Sequence, residues 1–355
     1  MPKPNQQLIA TKLKLSRATV SRCFTNHPGI NPQTRAKVFA LASKLGYSPL
    51  EKAKPRAHAE RLKLLDVAVL ICVDLPTFDN TAYGNPGEEI LTGVTEFART
   101  KKISLDLHYV KPEDLHLDSP SYRRITPLRR RRWKGVLLVY PFPRTVVDEL
   151  MAKYPCVSLV EQYGSTALDC VDVDHFRGIN KLMDRLLAHG HQRIGFFTHH
   201  YEVEASWALR RHSAYMEKLF SLGLPYRPED ALNIGLHNKL GYDASHERAL
   251  ELTRQGVTGW LCASDYEAYQ LIEFFKKNGL SVPRDVSVTG FDGIRKPSGA
   301  PLLSTVQIPY REIGVTGVKR LSDMIHRRFD SPQHILLDCT LRGGETISPP
   351  RKSGP

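Results

Sequence analysis

Within residues 1–49, apolar positions recur with helical spacing in three short blocks. Ile9, Ala10 and Leu13 share one face of the first; Val20, Cys23 and Phe24 recur at i, i+3 and i+4 in the second. Val38, Leu41, Ala42 and Leu45 form the stripe of the third, which Asn31-Pro32 opens and Gly46 stops. Ser16 stands just before the second block as an N-cap, its hydroxyl able to accept from an early backbone N–H. The pattern predicts three short helices around one small core.

From residue 64 the period changes. Val67–Val73, Ser104–Val110, Gly135–Tyr140 and Cys156–Val160 are apolar or alternating runs of strand length, separated by amphipathic stretches such as Glu88–Thr100 and Thr145–Lys153. A second series follows, with strands near Arg193–Phe197, Ala231–Gly235, Thr258–Ala263 and Val286–Thr289. Alternation of this kind marks βαβ units on parallel sheets. Two such series imply two lobes, with a cleft at the carboxyl ends of the strands where such folds bind ligands. Residues 348–355, rich in Pro and charge with no apolar period, read as a disordered tail.

Charge sharpens the division. Of the formal +13, +11 lies in residues 1–63, where thirteen Lys and Arg face only Glu51 and Glu60. A basic module on a nearly neutral body is the electrostatic footprint of nucleic-acid binding, in which phosphate neutralisation supplies much of the affinity. On the outer side of the second helix stand Arg17, Ala18 and Arg22. Arginine forks onto the acceptors of guanine, alanine touches a thymine methyl, and Ser16, Thr19 and Ser21 are short donors suited to phosphate.

Leu15-Ser-Arg-Ala-Thr-Val-Ser-Arg22, Asn31-Pro-Gln-Thr-Arg35 and Leu45-Gly-Tyr-Ser-Pro49 together resemble the helix-turn-helix head of the LacI/GalR family of bacterial transcription regulators. The resemblance continues through Val171-Asp-Val-Asp-His175 and His189-Gly-His-Gln-Arg-Ile-Gly195. It is clearest over Ala263-Ser-Asp-Tyr-Glu-Ala268 and Gly279 to Asp292, and ends with Ser304 to Pro309 and Leu341 to Thr346. It implies a small all-α helix-turn-helix head (1–49), a basic hinge linker (50–63) and an α/β two-lobed, periplasmic-binding-protein-like body with parallel sheets (64–347). It also implies a homodimer that reads a near-palindromic double-stranded operator and answers a small-molecule effector, most simply a sugar, as a repressor of carbohydrate-utilisation genes. By motif position Arg211, Asp265 and Asp292 are the effector-binding candidates, because carboxylates and guanidiniums each engage two neighbouring hydroxyls. His237 is a fourth, at a place where some relatives carry a stacking aromatic; the plainer alternative is an exposed loop histidine.

Two features depart from the family. Lys14 occupies the turn position usually held by glycine, so a slightly strained or differently shaped turn is expected. Pro55 disfavours a helix in Leu50-Glu-Lys-Ala-Lys-Pro-Arg56, and no leucine stands where the family's minor-groove wedge does. Either Leu50 or Arg56 does a related job or, the favoured reading, the linker is extended and touches phosphates through Lys52, Lys54, Arg56 and Arg61.

Other functions are poorly supported. There is no G-x-S-x-G elbow, Walker loop, zinc spacing or dinucleotide fingerprint, so neither an enzyme nor a cofactor is expected. A transport-type sugar-binding protein is the alternative, but it predicts an export signal and leaves the basic head unexplained. No run is long and apolar enough for a membrane span, and a cytoplasmic location is expected. The six dispersed cysteines read as buried reduced thiols. Arg129-Arg-Arg-Arg132, with Arg123 and Arg124, reads as a solvated face, with a second nucleic-acid patch as its alternative. The His199-His200 pair reads as a loop over cleft lining or an adventitious metal site, and Phe142 and Tyr83 either pack on a ligand ring or cover the cleft.

Overall fold

A computed structural model of the chain describes residues 5–24, 27, 29–45, 47, 65–73, 86–164, 167–201, 206–234, 239–328 and 331–351. The linker 50–63, including Lys54 and Arg56, lies outside them, as do Tyr83 and His237.

The head contains α1 (Gln6–Leu13), α2 (Arg17–Phe24) and α3 (Pro32–Lys44). Their helical stripes converge: Ile9, Ala10, Val20, Cys23, Val38 and Ala42 are buried, while Leu13, Phe24, Leu41 and Leu45 of the same stripes are half-buried. Phe24 closes the core by stacking on Phe39 and tilting against Tyr47, each at 5.4 Å.

The chain divides into two compact units, and passes from one to the other at 172–173, 309–310 and 336–337. The first unit is built on β1 (Leu65–Cys72), α4 (Pro86–Thr100), β2 (Ile103–Val110), the short helices α5 (Pro120–Arg123) and α6 (Thr126–Arg129), and β3 (Gly135–Val139). It continues through α7 (Arg144–Met151), β4 (Cys156–Leu159) and β5 (Asp169–Val173). β1 pairs in parallel with β2 and β3, β3 with β4, and β4 with β5. The all-buried pattern of β3, β4 and β5 is that of strands covered on both faces.

The second unit has α8 (His175–Ala188), β6 (Ile194–Phe197), α9 (Ser206–Ser221), β7 (Ala231–Leu232), α10 (Tyr242–Arg254), β8 (Gly259–Cys262), α11 (Asp265–Lys277) and β9 (Ser287–Thr289). Its parallel sheet runs β7-β6-β8-β9. Four later elements complete the chain: β10 (Thr305–Gln307), α12 (Tyr310–Ile325), β11 (His334–Leu337) and β12 (Thr340–Arg342). β10 and β12 form an antiparallel pair, while β11 is the edge strand of a six-stranded sheet ordered β11-β5-β4-β3-β1-β2.

Helix α12 returns to the first unit and lies against α4. Close approach is possible because Gly93 and Gly314 face backbone: a Cβ at either would fall inside contact distance of Arg311 O or Ile90 O. Buried Arg320 of α12 donates from Nε to buried Asp169 of β5 at 2.5 Å, tying the returning helix to the sheet.

The expected disordered tail is corrected over 348–351. Ser348 N–H donates to Ser287 Oγ (3.1 Å), its hydroxyl donates to Pro283 O (2.8 Å), and Arg351 pairs with Asp285 at 2.8 Å. Polar anchors hold this segment, which is why its lack of apolar period was misleading. All six cysteines are buried and unpaired with one another, and no helix among the described residues is long and apolar enough to cross a membrane.

Candidate nucleic-acid interface and ligand face

The outer face of α2 depends on how its two ends are made. Asn5 caps α1 by accepting from Leu8 N (2.9 Å), and Lys14 ends it in the left-handed region (φ 53°, ψ 40°). Leu15 N then donates back to Ala10 O at 2.9 Å, so the turn keeps a glycine-like shape with a lysine in it. A side chain there costs about 1 kcal/mol or more. Lys14→Gly is therefore expected to stabilise the head by about 1 kcal/mol, seen as a higher urea midpoint for the head transition. An unchanged or lower midpoint would show that the strain is relieved locally.

Ser16 Oγ accepts from Thr19 N at 3.0 Å and lies 2.9 Å from Thr19 Oγ1. With α2 started there, Val20 and Cys23 turn inward at 0% exposure, while Arg17, Ala18 and Arg22 lie exposed; Thr19 and Ser21 are half-buried. Residues 17 and 21, and 18 and 22, are one helical turn apart, so these four positions form one stripe on the side away from Val20 and Cys23, with Thr19 at its flank beside the core. Arg35, unassigned by sequence beyond its motif, is buried and donates from Nη2 to His27 O (2.7 Å), fixing the loop after α2 to α3.

In the second unit, Arg211 of α9 is buried. Its Nε donates to His175 Nδ1 (3.2 Å), and its Nη1 donates to Ala263 O and to Asp292 Oδ1 (3.3 Å). The guanidinium carbon lies 3.8 Å from the Phe291 ring centroid and 4.8 Å from that of Trp207. The start of α8, the middle of α9 and the segments after β8 and β9 thus meet at the carboxyl end of the sheet, where parallel α/β sheets present ligand sites. Asp292 has φ 146°, a conformation that favours glycine; its N–H donates to Val306 O (3.0 Å) and its O accepts from Ile308 N (3.1 Å), which hold it there.

Asp265 lies beside this group but faces inward, at 1% exposure. Oδ1 accepts from the Thr305 hydroxyl (2.5 Å) and Oδ2 from Ile294 N (2.9 Å). Burial, and then the charge of Asp292, raise its carboxyl from 3.8 to about 7. The folded state consequently holds a proton that the unfolded chain releases, so this group removes stability as pH rises from about 4 to about 7. Asp265→Asn is expected to gain stability relative to the unsubstituted chain between pH 5 and pH 8, measured by urea unfolding at both; a difference independent of pH would contradict the raised carboxyl.

Glu267, His175, Trp207 and Tyr201 are site neighbours that the sequence did not single out. Glu267 is fully buried, and its Oε1 accepts from Thr198 Oγ1 (2.9 Å), His199 N (2.8 Å) and Tyr201 OH (2.8 Å). Burial raises its carboxyl. The Tyr201 and Trp207 rings meet edge to face at 5.3 Å. His175 and Glu267 lie inside motifs already noted, but only their tertiary partners reveal what they do.

His199 lies in the loop after β6, as expected, but its ring is packed with Phe197, Tyr242, His246 and Tyr266, and burial lowers it to about 4. His200 is exposed and Phe142 is core. Among the described residues, no group of three or more His, Cys, Asp or Glu side chains is placed to hold a metal ion.

Residues 7–49 match the family described as bacterial regulatory proteins, lacI family, and residues 183–347 match the periplasmic binding protein-like domain. The chain is 25% identical over 336 residues to the HTH-type transcriptional regulator RegA of Clostridium saccharobutylicum, covering 92% of this chain and 95% of the relative. It is 26% identical over 344 residues to the HTH-type transcriptional repressor CytR of Escherichia coli K12, covering 94% and 93%. Among solved structures, a transcriptional regulator CelR–cellobiose complex superposes with a TM-score of 0.65 at 20% identity, covering 97% of this chain and 99% of the other. The lac repressor dimer bound to operator and the anti-inducer ONPF gives 0.63 at 20% identity, with the same coverage.

Proposed function

Because the chain belongs to the LacI/GalR family of bacterial transcription regulators, we propose that it is a sugar-responsive repressor which binds a near-palindromic operator as a homodimer. The observation that carries the DNA reading is the outer stripe of α2, with Arg17, Ala18 and Arg22 exposed on a helix that buries Val20 and Cys23 on its other side. In this reading those three side chains meet base edges in the major groove, and Ser16, Thr19 and Ser21 sit nearest the phosphates. Ser16 and Thr19 cap α2 as well, so their contribution is partly one of placing the helix. Lys54 and Arg56 of the linker add phosphate contacts. The domain limits follow: head 1–49, linker 50–63 and ligand-binding, dimer-forming body from 64.

For the effector, Arg211 and Asp292 are the contact pair. The guanidinium and carboxylate suit adjacent hydroxyls, and Trp207 and Tyr201 offer faces for the apolar side of a sugar ring. Solved relatives named with cellobiose, sucrose, glucose and ribose support this ligand class. Asp265, with both oxygens on internal donors, acts by bracing the segment that carries Asp292. His237 is retained as a candidate contact. Binding to such a face alters operator affinity only if the ligand favours one of two states, which gives the sign of regulation.

The test is selection of duplexes by the purified full chain, followed by titration of the selected operator with a panel of neutral sugars, uronates and nucleosides. Recovery of a two-fold-related sequence whose binding one sugar alters supports the reading; recovery of no sequence preference contradicts it. Arg22→Ala is expected to relax preference at one position per half-site by about 1–3 kcal/mol. Equal loss on selected and mixed-sequence DNA would assign Arg22 to the phosphates instead.

A further inference from the structure

The first unit carries a basic turn that the proposed head and ligand face leave unused. Arg129, Arg130, Arg131 and Lys134 are exposed, and among the described residues they form no ion pair. The turn is held from beneath. Arg130 N donates to Thr126 O (3.1 Å), Arg131 N to Leu128 O (3.2 Å) and Arg132 N to Pro127 O (3.1 Å), while Ile125, Leu128 and Trp133 are buried in the unit's core. Trp133 is further fixed by Nε1 donating to Asp106 Oδ2 at 2.9 Å. The cations are therefore displayed on a rigid base instead of belonging to a loose loop.

Strand register places this turn. Leu65 of β1 pairs with Ile103 of β2, Val67 with Gly135 of β3, and Val136 with Cys156 of β4, so all four strands begin at one edge of the sheet. Exposed Lys102 precedes β2, the basic turn precedes β3 and exposed Lys153 precedes β4. Of the carboxylates there, Asp169 at the start of β5 is buried on Arg320, while Asp66 at the start of β1 is half-buried and offsets one positive charge of the edge. Four neighbouring strand starts extend over about 15 Å, a length on which a duplex presents several phosphates. The same edge receives the chain from the head, since β1 starts at Leu65, directly after the linker. Residues 48–64 reach at most about 60 Å when fully extended, so a head on DNA tethers this edge close to the same duplex and raises its effective concentration there.

We propose that the strand-start edge of the first unit, centred on Arg129, Arg130 and Arg131, is a second DNA surface that grips the phosphate backbone of duplex flanking the operator. It rests on the DNA reading of the head and adds a sequence-independent contact to it. The surface binds by charge alone, because arginines on a turn at a sheet edge have no element to carry them into a groove.

The test compares the full chain on the selected operator trimmed to its specified bases with the same operator extended by about two helical turns at each end. The unsubstituted chain is expected to bind the extended duplex more tightly. The triple variant R129Q/R130Q/R131Q is expected to lose that gain, and its salt slope on extended DNA to fall by about 2–3 because each phosphate contact contributes about one. Its affinity for the trimmed operator stays unchanged, and the corresponding lysine variant restores the gain. Equal affinity of the unsubstituted chain for both duplexes overturns the proposal, as does an equal loss on both in the triple variant or binding of the edge to acidic proteins but not to flanking DNA. Failure of the trimmed operator to bind at all would instead fall on the head. These side chains are exposed, and an unchanged unfolding midpoint confirms that the variants fold.

Discussion

Arg320→Ala is expected to lower the stability of the first unit by about 3–5 kcal/mol, the range for removing one partner of a buried ion pair. Arg320 and Asp169 are 3% exposed each, with Nε 2.5 Å from Oδ1. Among the described residues, truncation leaves the Asp169 carboxylate in the interior with the Gln333 N–H (3.0 Å) as its remaining donor, and removes the Arg320 Nη2 bond to Ser331 O (3.1 Å). Within the first unit the loss falls on three segments, because the pair joins the returning helix α12 to β5 and Ser331–Gln333 leads into the edge strand β11. Urea unfolding followed by tryptophan fluorescence checks the figure. The double variant Arg320→Met/Asp169→Leu is expected to recover most of the loss, since an apolar replacement of a buried pair is often neutral. A loss below about 1 kcal/mol for the single variant would mean that water reaches the carboxylate.

Arg211→Ala is expected to weaken effector binding by about 2–5 kcal/mol, roughly thirtyfold to several-thousandfold, while leaving operator affinity in the absence of effector unchanged. Its guanidinium ties His175, Ala263 and Asp292 together over the face of Phe291, so truncation removes a contact and frees the strained Asp292 segment at once. Arg211→Lys keeps the charge but not the planar fork and is expected to lose most of the affinity as well. Isothermal titration with the sugar found in the panel, beside operator binding without it, separates the two effects. Full effector affinity in Arg211→Ala would remove the residue from the site; equal loss of operator and effector binding would make it a folding residue.

Only part of this was legible beforehand. Arg17, Ala18 and Arg22 could be assigned to one helical side because that side is set by a period of 3.6 residues and a Ser16 cap, both local. The left-handed turn at Lys14 was anticipated as a departure, and the chain keeps the turn and accepts the strained residue. By contrast, Asp265 was grouped with Asp292 on motif position alone. Whether a carboxylate faces a ligand or an internal donor depends on Thr305 and Ile294, which are far along the chain. The ring packing of His199, in the loop after β6, was hidden for the same reason: a histidine after a strand has no sequence mark that separates a packed ring from a solvated one.

The sequence by itself determined the basic head of three helices, the partition of charge between head and body, and the two runs of alternating strands and helices. Each follows from periodicity or composition within a short window. Tertiary structure alone decided that α12 returns to α4 through Gly93 and Gly314, that β11 joins the edge of the first sheet and that Ser348 to Arg351 are anchored. It also decided that Arg211 meets His175, and that the arginines before β3 share an edge with the chain's arrival from the head. These depend on contacts between residues distant in the chain, and their cause is packing and hydrogen-bond satisfaction, which leave no periodic trace in the residues that take part.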